Sequence, residues 1–108
     1  MRIHKGDIVC HFKRETLTVR QIEKNDYLYM YKVLDFAKHT ETGELLVIYE
    51  ALYDGGPIGC EVHCGDKFAR PFDMFMSEVD HEKYPNIKSK YRFNVMLHQN
   101  EKEEENNG

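Results

Sequence analysis

The sequence predicts a small all-β protein: one antiparallel barrel, closed or half-closed, carrying a loop insert and ending in a disordered acidic tail. Three observations lead there. Apolar residues recur with a period of two in five or six short stretches, Gly-containing turns separate those stretches, and no segment is long enough for a crossover helix. The 108 residues suffice for one domain. It is expected over residues 1–98, with 99–108 as the tail.

Gly6-Asp7 signals a turn, and Ile8 to Phe12 alternates after it, with Ile8, Cys10 and Phe12 on one face of a first strand. Lys13 to Asp26 loses the pattern and reads as an insert with one or two amphipathic helical turns near Leu17 to Lys24. Leu28 to Lys38 is the longest β-type run, and Tyr29, Tyr31, Val33, Asp35 and Ala37 share one of its faces. Leu45 to Tyr53 is its partner. Between them, Thr40-Glu41-Thr42-Gly43-Glu44 predicts a type I turn closed by Gly43 at positive φ.

Asp54-Gly55-Gly56-Pro57 turns the chain again, and Ile58, Cys60 and Val62 alternate, so Ile58 to Cys64 reads as another strand. Phe68 to Phe72 meets Pro71, which suits an edge strand. Asp73 is placed to cap a single turn through Met74-Phe75-Met76. His81 to Lys90, interrupted by Pro85, reads as a crossing loop with a short helical turn near Asn86 to Lys90. Tyr91, Phe93, Val95 and Leu97 then alternate in a last strand able to pair with an earlier edge.

The formal net charge is −4, and Glu101 to Gly108, with four Glu and one Lys, carries most of it. A nearly neutral body argues against a sequence-independent nucleic-acid binder held by a broad phosphate-contacting surface, and leaves room for local basic patches. No run approaches the roughly 18 apolar residues of a membrane span, and the first residues lack a signal peptide's apolar stretch. A soluble cytoplasmic protein is the expectation.

Three cysteines, an odd number, argue against a disulfide framework. Cys60, His63 and Cys64 raise the question of zinc, with Cys10-His11 as further donors. On a strand His63 would point away from Cys60 and Cys64, and no Cys-x-x-Cys knuckle is present, so no metal and no cofactor is expected. Cys10 and His11 are adjacent and would face opposite ways, a poor arrangement for a nucleophile and its base. No phosphate-cradling Gly loop or nucleophile elbow occurs, which makes a binding module the expectation over an enzyme.

Aromatic crowding is the remaining signal. Tyr29, Tyr31, Tyr49 and Tyr53 lie on the hairpin strands, Phe68, Phe72 and Phe75 surround Arg70, and Tyr91-Arg92-Phe93 returns at the end. Such clusters form stacking platforms or cation cages at a barrel mouth, or they are cross-strand packing. Tyr49 and Tyr53 share a face, so burial decides between these uses. His39 beside the turn suits a turn-stabilising hydrogen bond, and Arg70 a salt bridge to Glu50 or Glu78.

Three separated blocks, Tyr31 to Glu44 continuing through Val47 to Tyr53, Ala69 to Asp80, and Lys88 to Phe93, occur in an order that resembles the bacterial domain-of-unknown-function family 1653. The resemblance spans most of residues 6 to 94. It implies a short cytoplasmic protein compatible with an SH3-like barrel, and no defined activity. The insert from Lys13 to Asp26 and the cysteine-rich stretch from Gly55 to Lys67 depart from the family pattern by their length. A cysteine site would therefore be peculiar to this chain.

Among positions that match the family blocks, His39, Glu41, Tyr49, Tyr53, Arg70, Phe75 and Arg92 are the candidate ligand-binding residues. The first expectation is a protein or peptide partner bound at this aromatic and polar surface or by strand addition. The alternative is RNA or a modified nucleotide, stacked on Tyr or Phe with Arg70 and Arg92 touching phosphate. A third is a hydrolytic or metal-dependent enzyme using His39, Glu41 or the cysteine group. Oligomeric state is left open by the sequence.

Overall fold

The computed structural model describes residues 2–98. Five strands form one antiparallel sheet: β1 (Ile8–His11), β2 (Met30–Lys38), β3 (Leu45–Ala51), β4 (Lys67–Pro71) and β5 (Phe93–Leu97). Their spatial order is β4-β3-β2-β1-β5, so the last strand returns to pair with the first. The sheet curls without closing: β4 and β5 are its two edges, yet the Arg70 guanidinium of β4 lies 5.7 Å from the Phe93 ring centre of β5. The tail at residues 99–108 lies outside the described residues.

The central hairpin forms as its sequence predicts. Gly43 sits at φ 75°, His39 N–H donates to Glu44 O at 2.9 Å, and Gly43 N–H donates to His39 O at 2.9 Å. The alternation of β2 holds only part of the way. Tyr31 and Val33 are buried, but a register shift between Val33 and Asp35 leaves Asp35 and Ala37 exposed and turns Phe36 toward Phe72. Before the strand, Tyr29 takes φ 64°, an uncommon conformation for a bulky residue, and Leu28 is fully buried.

Three further expectations are corrected. In β1 the buried residue is Val9, while Ile8 and Cys10 lie on the other face; Phe12 is buried because the chain leaves the strand there for a 3-10 turn, Phe12–Thr16. Ile58 to Cys64 is not a strand. A 3-10 turn, Gly56–Ile58, ends at left-handed Gly59, and Gly55 bonds to both Cys60 and Val62, folding the segment on itself. Asp73 caps nothing: the short helix α2 (Phe72–Phe75) begins after Pro71 without a side-chain cap.

The insert is ordered. After its 3-10 turn comes helix α1 (Val19–Lys24), opened by a capping box in which Thr18 and Gln21 each accept the other's backbone N–H. Two apolar clusters result. The larger, inside the curl, contains Tyr31, Val33, Val47, Tyr49, Tyr53, Phe75 and Phe93, with Phe75 stacked on Phe93 at 4.1 Å. A smaller one of Phe12, Val79 and Ile87, with Tyr84 against it, ties the crossing loop to the start of the insert.

Candidate functional site

Two arginines from opposite edges of the sheet meet at the mouth of the curl. Arg70 lies on β4 opposite Val47, and its Nε–H donates to the Tyr49 hydroxyl at 3.2 Å. Arg92 immediately precedes β5, and its Nε–H donates to Ser77 Oγ at 3.2 Å. The Arg92 backbone is fixed as well, donating to Ser77 O at 2.8 Å and accepting from Phe12 N–H at 2.9 Å. Both guanidinium groups are thus oriented through Nε. Among the described residues, Lys and Arg ion pairs are confined to Lys5 with Asp35 and Lys90 with Glu78. The expected Arg70 salt bridge to Glu50 or Glu78 is not made.

Between the arginines lies a cavity of about 350 Å³, to which Lys13 and Lys83 add two further cations. Asp80 is the one carboxylate in its lining, and its Oδ1 already accepts from the backbone of Glu82 and Lys83 at 3.0 and 3.3 Å. Phe12 and Tyr84, edge to face at 4.9 Å, form the apolar wall. Glu15 ties the 3-10 turn that begins at Phe12 to the crossing loop: its carboxylate accepts from Lys88 N–H at 2.9 Å and from the N–H and hydroxyl of Ser89 at 2.9 and 2.5 Å. These bonds keep the Glu15 carboxyl below its usual range, the Ser89 hydroxyl foremost.

His11 closes the inner end. Its ring packs on Phe12 at 4.4 Å and meets Phe93 edge-on at 5.1 Å, while Nδ1 accepts from Lys13 N–H at 3.2 Å. Burial, and then the charges of Lys13, Arg70 and Arg92, push its pKa down to about 3. At neutral pH it is an uncharged imidazole whose Nδ1 lone pair is taken, so its proton sits on Nε2, available as a donor. Apart from Asp80 and the apolar wall, the lining presents donors and positive charge, the chemistry that receives an anion.

The sequence-derived candidates divide by location. Arg70 and Arg92 line this cavity. Tyr49 is 5% exposed and reaches the site only through Arg70. Tyr53, at 2% exposure, and Phe75, at 0%, belong to the core; the Tyr53 hydroxyl meets that of Tyr31 at 2.5 Å, and burial raises the Tyr31 pKa. The face shared by Tyr49 and Tyr53 is therefore the inner one.

His39 and Glu41 are in the hairpin turn, where His39 Nδ1 accepts from the N–H groups of Glu41 and Thr42 at 3.1 and 3.3 Å. Lys13, Lys83, Tyr84 and the donor role of His11 escaped the sequence reading, because they come from the insert, the crossing loop and a strand end that carry no periodic pattern.

Metal-ligating side chains converge elsewhere. Cys60 Sγ turns to Ile58 O at 3.9 Å, while His63 and Cys64 are exposed. Among the described residues, the group of three donors within 4.8 Å of one another is His4, Asp7 and His98. No described helix is long and apolar enough to cross a membrane.

A family model described as "Protein of unknown function (DUF1653)" matches residues 7–95. No curated protein and no solved structure matches the chain.

Proposed function

The chain belongs to the DUF1653 family, and from that premise we propose a binding module whose ligand carries phosphate, a mononucleotide or the phosphate end of an RNA strand. One observation carries this reading: Arg70 and Arg92, each oriented through Nε and neither ion-paired among the described residues, share a cavity with Lys13 and Lys83. Oriented guanidinium groups with free outer nitrogens suit the bidentate recognition of phosphate oxygens. A cavity of about 350 Å³ is at the small end of ligand pockets, the size for one nucleotide unit. Tyr84 is placed to contact a base or sugar.

His11 supports binding over catalysis. An imidazole that resists protonation and has its Nδ1 engaged serves as a hydrogen-bond donor and is a poor base. The curled sheet reads as a half-open SH3-like barrel, supported by the return of β5 to β1 and the approach of Arg70 to Phe93. A cytoplasmic setting belongs to the same reading, since Cys10, Cys60 and Cys64 are free thiols suited to a reducing compartment.

A peptide partner is the second reading, favoured by the outer edge of β4, which among the described residues pairs only with β3 and offers its other edge to strand addition. Calorimetric titration of the full chain with pyrophosphate, a nucleoside monophosphate and a short single-stranded RNA separates the two. The proposal expects saturable binding that weakens with salt and falls at least about tenfold in Arg92→Ala, the scale of a lost charged hydrogen bond. Absence of binding to every phosphate compound, or binding unchanged in both Arg70→Ala and Arg92→Ala, would contradict it.

A further inference from the structure

We propose that His4, Asp7 and His98 form a binding site for one divalent transition-metal ion of the zinc type, at the opposite end of β1 from the cationic cavity. Sequence brings the donors together in two steps. The pairing of Ile8 with Leu97 in the β1–β5 ladder sets Asp7 beside His98. A tight turn does the rest: His4 N–H donates to Asp7 Oδ2 at 2.8 Å and Asp7 N–H donates to His4 O at 3.1 Å, with Gly6 between them at φ 88°.

The Asp7 side chain is fully buried, while the two imidazoles are one-third exposed. Asp7 Oδ2 lies 3.0 Å from His98 Nδ1 and 3.7 Å from His4 Nδ1. Donors bound about 2.1 Å from a common ion stand roughly 3.0 Å apart at right angles and 3.4 Å apart at tetrahedral angles. The two spacings to Asp7 Oδ2 bracket those values, and all three donor atoms lie within 4.8 Å of one another.

A second observation is independent of spacing. Among the described residues, two buried side-chain polar atoms lack any hydrogen-bond partner, Asp7 Oδ1 and His4 Nδ1, and both belong to this group. An unpaired buried carboxylate oxygen and an unpaired imidazole nitrogen are costly to leave so. A cation held by the two imidazoles and the Asp7 carboxylate pairs His4 Nδ1, and it pairs Asp7 Oδ1 where the carboxylate binds through that oxygen, Oδ2 already accepting from His4 N–H. Two neutral nitrogens and one carboxylate match zinc and other imidazole-preferring divalent ions better than calcium or magnesium, which take oxygen donors. Exposure of both rings leaves coordination positions open to water.

The test uses tag-free full-length protein titrated with Co²⁺ as a spectroscopic probe and with Zn²⁺ in competition. The expected result is one equivalent of cobalt giving visible ligand-field bands without a sulfur-to-cobalt charge-transfer band, displaced by zinc. His4→Ala and His98→Ala should each weaken binding at least about tenfold, with the fold checked by circular dichroism. Asp7→Asn, which keeps an oxygen acceptor and removes the charge, should do the same should either alanine variant fail to fold. Cys60→Ser/His63→Ala/Cys64→Ser should bind unchanged. No stoichiometric cobalt binding by the wild type, or binding lost in the cysteine-loop variant and kept in Asp7→Asn, would overturn the assignment.

Discussion

The Nε of Arg70 donates to the phenolic oxygen of Tyr49, 3.2 Å away, linking a core residue of β3 to a cation at the mouth of the sheet. Tyr49 thereby positions Arg70 without lining the cavity. Tyr49→Phe removes the acceptor and little volume. Its expected cost to phosphate binding is about 0.5–1.5 kcal/mol, the net value of one hydrogen bond, with a melting midpoint close to wild type. Calorimetry and a thermal melt on the same variant check both halves.

Tyr53 is a core residue, and its substitutions should behave accordingly. Tyr53→Ala opens a cavity beside Tyr31 and is expected to cost roughly 3–5 kcal/mol, as large aromatic truncations do. Tyr53→Phe loses only the hydroxyl contact and should leave phosphate affinity untouched. Denaturant unfolding of the two variants tests this, and weakened binding in a well-folded Tyr53→Phe would assign that ring to the site.

Gly43 at φ 75° meets nothing within 4 Å of the position a Cβ would take, so substitution there probes backbone strain alone. Gly43→Val should destabilise by about 1–2 kcal/mol through the left-handed conformation. A melt identical to wild type would contradict the turn geometry.

The pH dependence has a definite sign. Burial first, and then Lys13, Arg70 and Arg92, lower the His11 pKa from 6.5 in a free peptide to about 3. Between those values the unfolded chain takes up a proton that the folded chain does not. Stability is therefore fully present above the unfolded pKa and declines as pH falls toward the folded one. Glu15, also depressed in the fold, acts in the same direction at lower pH. His11→Gln should flatten the dependence of the melting midpoint between roughly pH 4 and 6, and a bound phosphate should raise the His11 pKa, readable from its ring resonances.

Much of this architecture is written locally. The β2–β3 hairpin is legible because alternation and a turn glycine agree over adjacent residues, and the Lys67–Pro71 edge strand because Pro71 forbids an inner place. The inward face of β1 is not legible in its alternation, because Phe12 turns inward only after the chain has left the strand. Ile58 to Cys64 alternates as a strand does, and left-handed Gly59 overrides the pattern. Arg70 and Arg92 were identifiable as polar residues set among aromatics, whereas Lys13 and Lys83 reach the same cavity from aperiodic segments. His4 and His98 are brought together by strand pairing across nearly the whole chain, which short-range spacing does not encode.

The most direct measurement is a ¹H–¹⁵N NMR titration of the full chain with a nucleoside monophosphate, following backbone amides and arginine Nε–H groups at two salt concentrations. The account predicts shifts concentrated at His11, Lys13, Arg70, Lys83 and Arg92, reduced at the higher salt. Shifts confined to the outer edge of β4 or to the hairpin turn at His39 and Glu41, or none at all, would contradict a phosphate site between the two arginines.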